Sequence, residues 1–415
     1  MPVEFRRTTL DNGLEIIAEV DADAHTAAAG FFVKTGGRDE DPAIMGVSHF
    51  LEHMMFKGTE SRTAADVDRD FDDIGAQHNA FTSGEMTAFW AHALPERLST
   101  ALEILADILR PALRPKDFDD EKSVIIEEIA MYDDQPFWVV YERATELFFR
   151  THPLSHRVLG TRETVQAMRC EQMQAYFDRR YSADNTTIAL AGRVDFDASV
   201  RQLAGLCGEW STTDARRSYP ELEYVTDDFT IESDTVNRHY GIMLSPAPSI
   251  QDDRRYAASM LADALGDAEG SLLYWALIET GIAEEARAQY DGHDGVGSFA
   301  VYYVCSPDNA TRVSDVIATQ IDELLETVTE DDLDRIRSKI ATSATLQGEL
   351  PAGRMQRLGR QWTYTGEYLS LDEELDRINA VTLGDVVAVG REYGFQPCVS
   401  GHLRPAKGVA RSTER

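Results

Sequence analysis

The residues best equipped for chemistry stand together in Gly46-Val47-Ser48-His49-Phe50-Leu51-Glu52-His53-Met54-Met55-Phe56-Lys57-Gly58. On a helix His49 and His53 are i and i+4, so both imidazoles project from one face, and Glu52 lies within about 100° of either. Neutral imidazole is a good zinc ligand. A carboxylate beside the ion that does not bind it can take a proton from water, whose pKa zinc lowers to roughly 7. Val47, Phe50, Leu51, Met54 and Met55 make the rest of the stretch apolar. A histidine pair on so apolar a helix favours a metal site over a solvated face.

Hydrolytic zinc needs a third protein ligand and an open position. The stretch from Asp117 to Tyr132 reads as a helix, and its Glu121, Val124, Ile125 and Glu128 follow the i, i+3, i+4, i+7 rule. Carboxylates on a stripe with apolar β-branched residues are costly to bury unpaired, and a divalent cation facing them removes that cost. Spacing alone leaves a second arrangement open, in which both glutamates sit at the stripe's edge and reach solvent.

The elements that must carry these residues are readable in chain order. Alternating segments near Arg6–Leu10, Leu14–Val20 and Thr26–Lys34 predict strands, the first two joined at Asp11-Asn12-Gly13. Asp41-Pro42 marks a helix start and Gly58 a stop, which puts the two histidines on a helix entered from a strand. A helix over Ala64–Ile74, closed by Gly75, precedes a hairpin of Asn79–Ser83 and Met86–Ala93. Helices follow over Glu96–Leu109, the stretch from Asp117, Trp138–Phe149 and Arg162–Tyr181, then a strand at Thr186–Ala191 and a helix near Phe196–Leu206. Around Ser211–Leu222 periodicity fades, giving domains of 1–214 and 215–415. The second half repeats the order of the first, as a duplication would, and the fold class is α+β: two homologous domains, each a largely antiparallel sheet with helices packed on it. The segment standing where a second histidine helix belongs, Tyr256–Ala264, has no histidine, so only the first half can carry the metal site.

Composition narrows the function classes. At 415 residues, two cores large enough to be stable without staples are expected. Cys170, Cys207, Cys305 and Cys398 are scattered, with no C-x-x-C pair, which favours reduced thiols. No segment has the roughly 18 apolar residues of a membrane span. The amino terminus does not resemble a leader, so the expected location is cytoplasmic, or periplasmic if a leader was removed. A formal charge of −32, with lysine only at 34, 57, 116, 122, 339 and 407, argues against nucleic acid as a partner. It suits solubility or a salty cytoplasm better than steering of basic peptides. The tail after Pro405, with Lys407, Arg411 and Arg415, reads as frayed.

His49-Phe50-Leu51-Glu52-His53, followed by Met54-Met55-Phe56-Lys57-Gly58-Thr59, resembles the inverted zinc motif of the pitrilysin and insulinase family, which includes the mitochondrial processing peptidase. The resemblance implies half of a clamshell, enclosing a peptide or unfolded polypeptide and hydrolysing it as a zinc metalloendopeptidase. It places the third ligand within Glu121-Lys122-Ser123-Val124-Ile125-Ile126-Glu127-Glu128, implying Glu128 as that ligand, Glu121 as the carboxylate orienting a ligand histidine, and Glu52 as general base. Glu127 competes with Glu128 but lies off the Glu121 stripe. Asn79, Ala80, Phe81 and Thr82, with Gly75 and Thr87, look like the family's edge strand, to which substrate adds by backbone pairing. Asn79 also fits a plain hairpin role. His152-Pro153 and Leu159-Gly160-Thr161 match a family segment as packing and turn chemistry, while His78, His92, His156 and His293 have no counterpart and are expected to be surface or satisfied residues.

One departure stands out. Many relatives carry in the second half an arginine and a tyrosine, seven apart, that reach the substrate; Ile278 and about Glu284 occupy those places here. Some bacterial relatives divide zinc and the facing pair between two subunits. The expected partner is therefore a related zinc-less subunit in a heterodimer, with a homodimer as the other arrangement. The alternative function is a non-proteolytic structural or chaperone-like subunit of the same fold, and small-molecule hydrolysis is a weaker third.

Overall fold

In the computed structural model, which describes residues 3–396 and 398–406, the first alternating segments form a six-stranded sheet. Its strands are β1 (Glu4–Thr9), β2 (Glu15–Val20), β3 (Ala27–Val33), β4 (Gln77–Thr82), β5 (Thr87–Ala93) and β6 (Thr186–Gly192), in the order β1-β2-β6-β3-β5-β4. Only β2 and β6 run parallel. Strands β3 and β6 are buried along their whole length, which is why they read as apolar runs rather than alternations. One face is covered by the helix Pro351–Thr365, whose Met355, Leu358 and Trp362 pack with Ile17, Ala28, Phe32, Ala189 and Ala191. The approach is close: a Cβ at Gly30 or Gly359 would collide with Met355 or with the Phe32 ring. Phe31 and its neighbours of the same parity point the other way and are also buried, under helices Leu98–Ile108 and Phe196–Cys207.

The second sheet has five strands, β7 (Asp227–Ser233), β8 (His239–Ala247), β9 (Glu285–Gly292), β10 (Gly297–Cys305) and β11 (Val399–Pro405), in the order β7-β11-β8-β10-β9. One face carries the helix Pro136–Phe149 through Val140, Ala144 and Phe148. The other buries Phe299, Val301 and Tyr303 with residues of the helices Arg255–Gly266, Ala310–Thr327 and Leu383–Glu392.

Each sheet thus takes one helix from the far half of the sequence. The first unit gathers the chain up to Ala130, His156–Ser218 and Ala344–Leu369; the second gathers Met131–Ser155, Tyr219–Ser343 and the chain from Ser370. Contiguous halves of 1–214 and 215–415 leave this exchange out, because an amphipathic pattern shows that a helix has an apolar face and not which sheet will cover it.

Three local readings are corrected. Asp41-Pro42 starts a 3-10 turn, Pro42–Ile44, and the α-helix begins only at Val47, after Gly46 at φ +93°. The single helix expected over Arg162–Tyr181 is two, Arg162–Ala167 and Cys170–Arg180, separated where Met168 turns extended and buries its side chain. Val124, placed on a buried stripe, is exposed. The four cysteines are free thiols, and no helix among the described residues is long and apolar enough to cross a membrane. The frayed reading of the tail around Lys407, Arg411 and Arg415 lies outside the described residues.

Candidate metal centre

The histidine helix Val47–Met55 is fixed at its start by a carboxylate. Glu40 accepts hydrogen bonds from the backbone N–H of Gly46 (2.7 Å) and of Ser48 (2.8 Å), satisfying donors that a helix end otherwise leaves free. Burial pushes the Glu40 carboxyl up to about 8, against the downward pull of those same donors. Ser48 Oγ and Thr35 Oγ1 each lie 2.7 Å from the Tyr176 hydroxyl, a further anchor. Gly46 also lies against Leu159-Gly160, where either glycine's Cβ would strike backbone, and Thr164 Oγ1 donates to Met45 O at 2.8 Å. The segment containing Leu159-Gly160-Thr161 therefore does packing and turn chemistry.

Phe50 stacks on Phe118 at 4.7 Å, joining this helix to the glutamate helix Pro115–Asp133. The contact brings three donors together. His49 Nε2 lies 3.7 Å and His53 Nε2 3.6 Å from Glu128 Oε2, and the three ligand atoms are all within 4.8 Å of one another. Ligands sharing one zinc ion sit roughly 3.3–3.5 Å apart, close to the 3.7 and 3.6 Å that separate the two histidines from Glu128. Among the described residues this is the one His, Cys, Asp and Glu group of three or more so arranged. Glu127 is exposed and outside it.

The surroundings suit a ligand set. His53 Nδ1 pairs with Glu121 Oε1 at 2.9 Å, which leaves Nε2 toward Glu128, and Glu121 Oε2 lies 2.6 Å from Lys57 Nζ. Burial would depress His53, but the Glu121 hydrogen bond and the Glu128, Glu121 and Glu52 charges outweigh it and hold its pKa above the ordinary value. Glu121 is only 5% exposed; burial raises its pKa, and the His53 and Lys57 hydrogen bonds overcome that and bring it below the usual value. His49 goes the other way: burial, then the His53 charge, lowers it to about 4, so it is neutral at pH 7. Its Nδ1 is buried without a hydrogen-bond partner. Two imidazoles and one carboxylate are a donor set that fits a three-ligand zinc site with an open position.

Glu52 projects beside this cluster toward the sheet edge. Its Oε2 accepts a hydrogen bond from Thr82 Oγ1 at 2.5 Å, and burial raises its pKa, partly countered by Thr82 and by the His53 charge. Thr82 ends β4, the edge strand. Ala80 has its N–H covered by the Asn79 side chain, Oδ1 at 2.9 Å, while Phe81 sits with the cluster beneath Pro351–Thr365. The turn after β4 is held by a buried ion pair between Arg38 and Glu85, 2.5 Å. The four histidines without a family counterpart all have neighbours: His78 stacks on Phe71, His92 pairs with Thr26, His156 with Gly37 O, and His293 meets Phe149 edge-on.

Sequence reasoning missed Thr82 as the partner of Glu52, Lys57 as the partner of Glu121, and Glu40. Lys57 could have been found from its place just past the end of the histidine helix, four residues after His53; Thr82 and Glu40 reach their partners only through tertiary folding.

Residues 15–162 match the family model described as Insulinase (Peptidase family M16), and residues 168–340 match the one described as Peptidase M16 inactive domain. A Streptomyces coelicolor protein named an uncharacterized zinc protease is 32% identical over 406 residues, spanning 95% of this chain and 88% of its own length. The chain belongs to the insulinase (M16) family of peptidases. A Bacillus subtilis protein also named a zinc protease is 28% identical, covering 94% of this chain and 95% of itself. In fold, a protease from Helicobacter pylori superposes with a TM-score of 0.91 at 20% identity, across 97% of this chain and 100% of that one. The M16 inactive-domain match covers the region whose helix Arg255–Gly266 buries alanine, methionine and leucine where the first unit has its histidines. Within that region Ile278 ends a π-turn packed on the second core, and Glu284 pairs with Arg238.

Proposed function

We propose that this M16 protein is a zinc metalloendopeptidase acting on peptides or unfolded polypeptides. The observation that carries the reading is the convergence of His49 Nε2, His53 Nε2 and Glu128 Oε2, with the Glu52 carboxylate held alongside by Thr82. Zinc at that point supplies Lewis-acid polarisation of a carbonyl and lowers the proton affinity of water. His49, His53 and Glu128 would hold it, and Glu121, backed by Lys57, keeps the His53 ring turned. Glu52, with its proton affinity raised by burial, accepts a proton from the attacking water and delivers it to the leaving nitrogen. An extended substrate adds to β4, whose outer edge has no strand beside it in the sheet order.

The same reading takes the chain as half of a clamshell-like chamber and as the zinc-bearing subunit of a heterodimer, because Ile278 and Glu284 stand where the facing arginine and tyrosine would be. If the purified chain cleaves peptides at family-typical rates as a homodimer, the heterodimer part is wrong. Metal analysis and peptide cleavage by Glu52→Gln and His49→Ala test the core. Glu52→Gln should keep about one zinc per chain and lose about 10²–10⁴-fold in kcat, and His49→Ala should lose the metal. Absence of zinc from the wild type, with cleavage untouched in both variants, would overturn the zinc-peptidase reading; a wild type with neither zinc nor cleavage would favour the non-proteolytic subunit.

A further inference from the structure

Antiparallel pairing fixes which β4 residues look outward. Ser83 N–H bonds to Met86 O, so 83 and 86 are a hydrogen-bonded pair at the hairpin end. Stepping back along the register, Thr82↔Thr87 and Ala80↔Phe89 are the non-bonded pairs, whose N–H and C=O groups point away from β5. Because β4 is the edge, no strand of the sheet pairs with those groups among the described residues. The Ala80 N–H agrees, since its partner is the Asn79 side chain and not β5.

Thr82 therefore has two aspects at once. Its backbone belongs to the outward-facing set, and its side chain, by the two-residue period, lies on the face that meets the histidine helix, where Oγ1 holds Glu52 Oε2 at 2.5 Å. Among the described residues this is the one hydrogen bond to the Glu52 carboxylate, so nothing else fixes its torsion angles by a directed contact. We infer that Thr82 is a positioning residue for Glu52: its hydroxyl pins one carboxylate oxygen, leaves the other for proton transfer, and sets base and substrate in one register, because the residue that aims the base also presents backbone to the arriving strand. This rests on the peptidase reading above.

The test uses the zinc-loaded full chain and an internally quenched, unstructured peptide. Thr82→Val keeps the β-branched shape and the backbone and removes the hydroxyl; it should lower kcat about 10–100-fold with KM within about twofold. Thr82→Ser should recover to within about threefold of wild type. In a Glu52→Gln background, Thr82→Val should cost no further activity, since the two residues act as a unit. Zinc content and melting temperature, measured on the same preparations, should be unchanged. A Thr82→Val enzyme with full kcat, a serine variant as impaired as the valine one, or losses that multiply with Glu52→Gln would each overturn the inference and leave the peptidase reading standing. A wild-type chain that binds zinc and cleaves no peptide, alone or with a zinc-less partner subunit, would remove both.

Discussion

The histidine helix Val47–Met55 of the first unit and the helix Arg255–Gly266 of the second hold the same place in the order of elements, and each packs on its own sheet. One buries His49 among Val47, Phe50, Leu51, Met54 and Met55; the other buries Ala257, Ala258, Met260, Leu261, Ala262, Ala264 and Leu265. The helices next in correspondence differ in the same sense. The glutamate helix Pro115–Asp133 hides Glu121 together with Phe118, Ile125 and Ile129, whereas Glu330–Glu349 contributes Leu333 and Ile336 to its core. The histidine helix has directed props at the residues that could do chemistry, Glu40 at its start, Glu121 with Lys57 behind His53, and Thr82 beside Glu52, whereas Arg255–Gly266 is hydrogen-bonded at Arg255 and Tyr256 of its first turn. Apolar packing needs no such directed partners, only matched volume.

If that contrast is right, damage to the two units separates cleanly. The largest effect is expected from Leu261→Ala in the second unit, a fully buried side chain whose truncation should destabilise by about 2–5 kcal/mol while zinc stoichiometry stays near one. Denaturant unfolding and metal analysis on the same sample decide it; zinc lost in proportion to stability would break the comparison. Next is Glu121→Gln in the first unit, which removes the charge behind His53 and should weaken zinc binding about 10–100-fold in chelator competition, with the apo chain's melting temperature little changed.

The smallest effect concerns pH and sharpens the view of the second unit as purely structural. His239, 7% exposed, is lowered to about 4 by burial and then by the His402 and Arg404 charges. The unfolded chain takes up a proton at this residue as pH falls through its ordinary value of about 6.5, and the folded chain does not until about 4, so its contribution is complete above 6.5 and is lost progressively between 6.5 and 4. His239→Gln should flatten the fall of the urea midpoint over that window; an unaltered slope would assign the acid sensitivity elsewhere.

Much of the candidate metal site was readable because it is local. The i, i+4 spacing placed His49 and His53 on one face, and the choice of Glu128 over Glu127 follows from helical phase, which leaves Glu127 exposed. Strands showed themselves by alternation or, for β3 and β6, as apolar runs, and the first turn by its Asn12-Gly13 pair, where Gly13 takes φ +85°. What escaped is long-range. Val124 shares a stripe with Glu121 yet is exposed, since phase identifies a face and not its width. The helix Pro136–Phe149 was found to within two residues, but neither its sheet nor the helix Pro351–Thr365 that covers the other one. The hydroxyl on Glu52 comes from thirty residues away, beyond the reach of any periodicity.

Glu40 bears on how metal and protein meet. A carboxylate of the chain itself closes the start of the histidine helix, and the Phe50–Phe118 stack holds the glutamate helix against it, so both helices have supports apart from the donor cluster. This differs from small domains that are unfolded until zinc arrives. If the proposed site takes zinc, loading is expected to be a reversible equilibrium with the surrounding pool: a chelator should empty the chain and added zinc refill it without refolding.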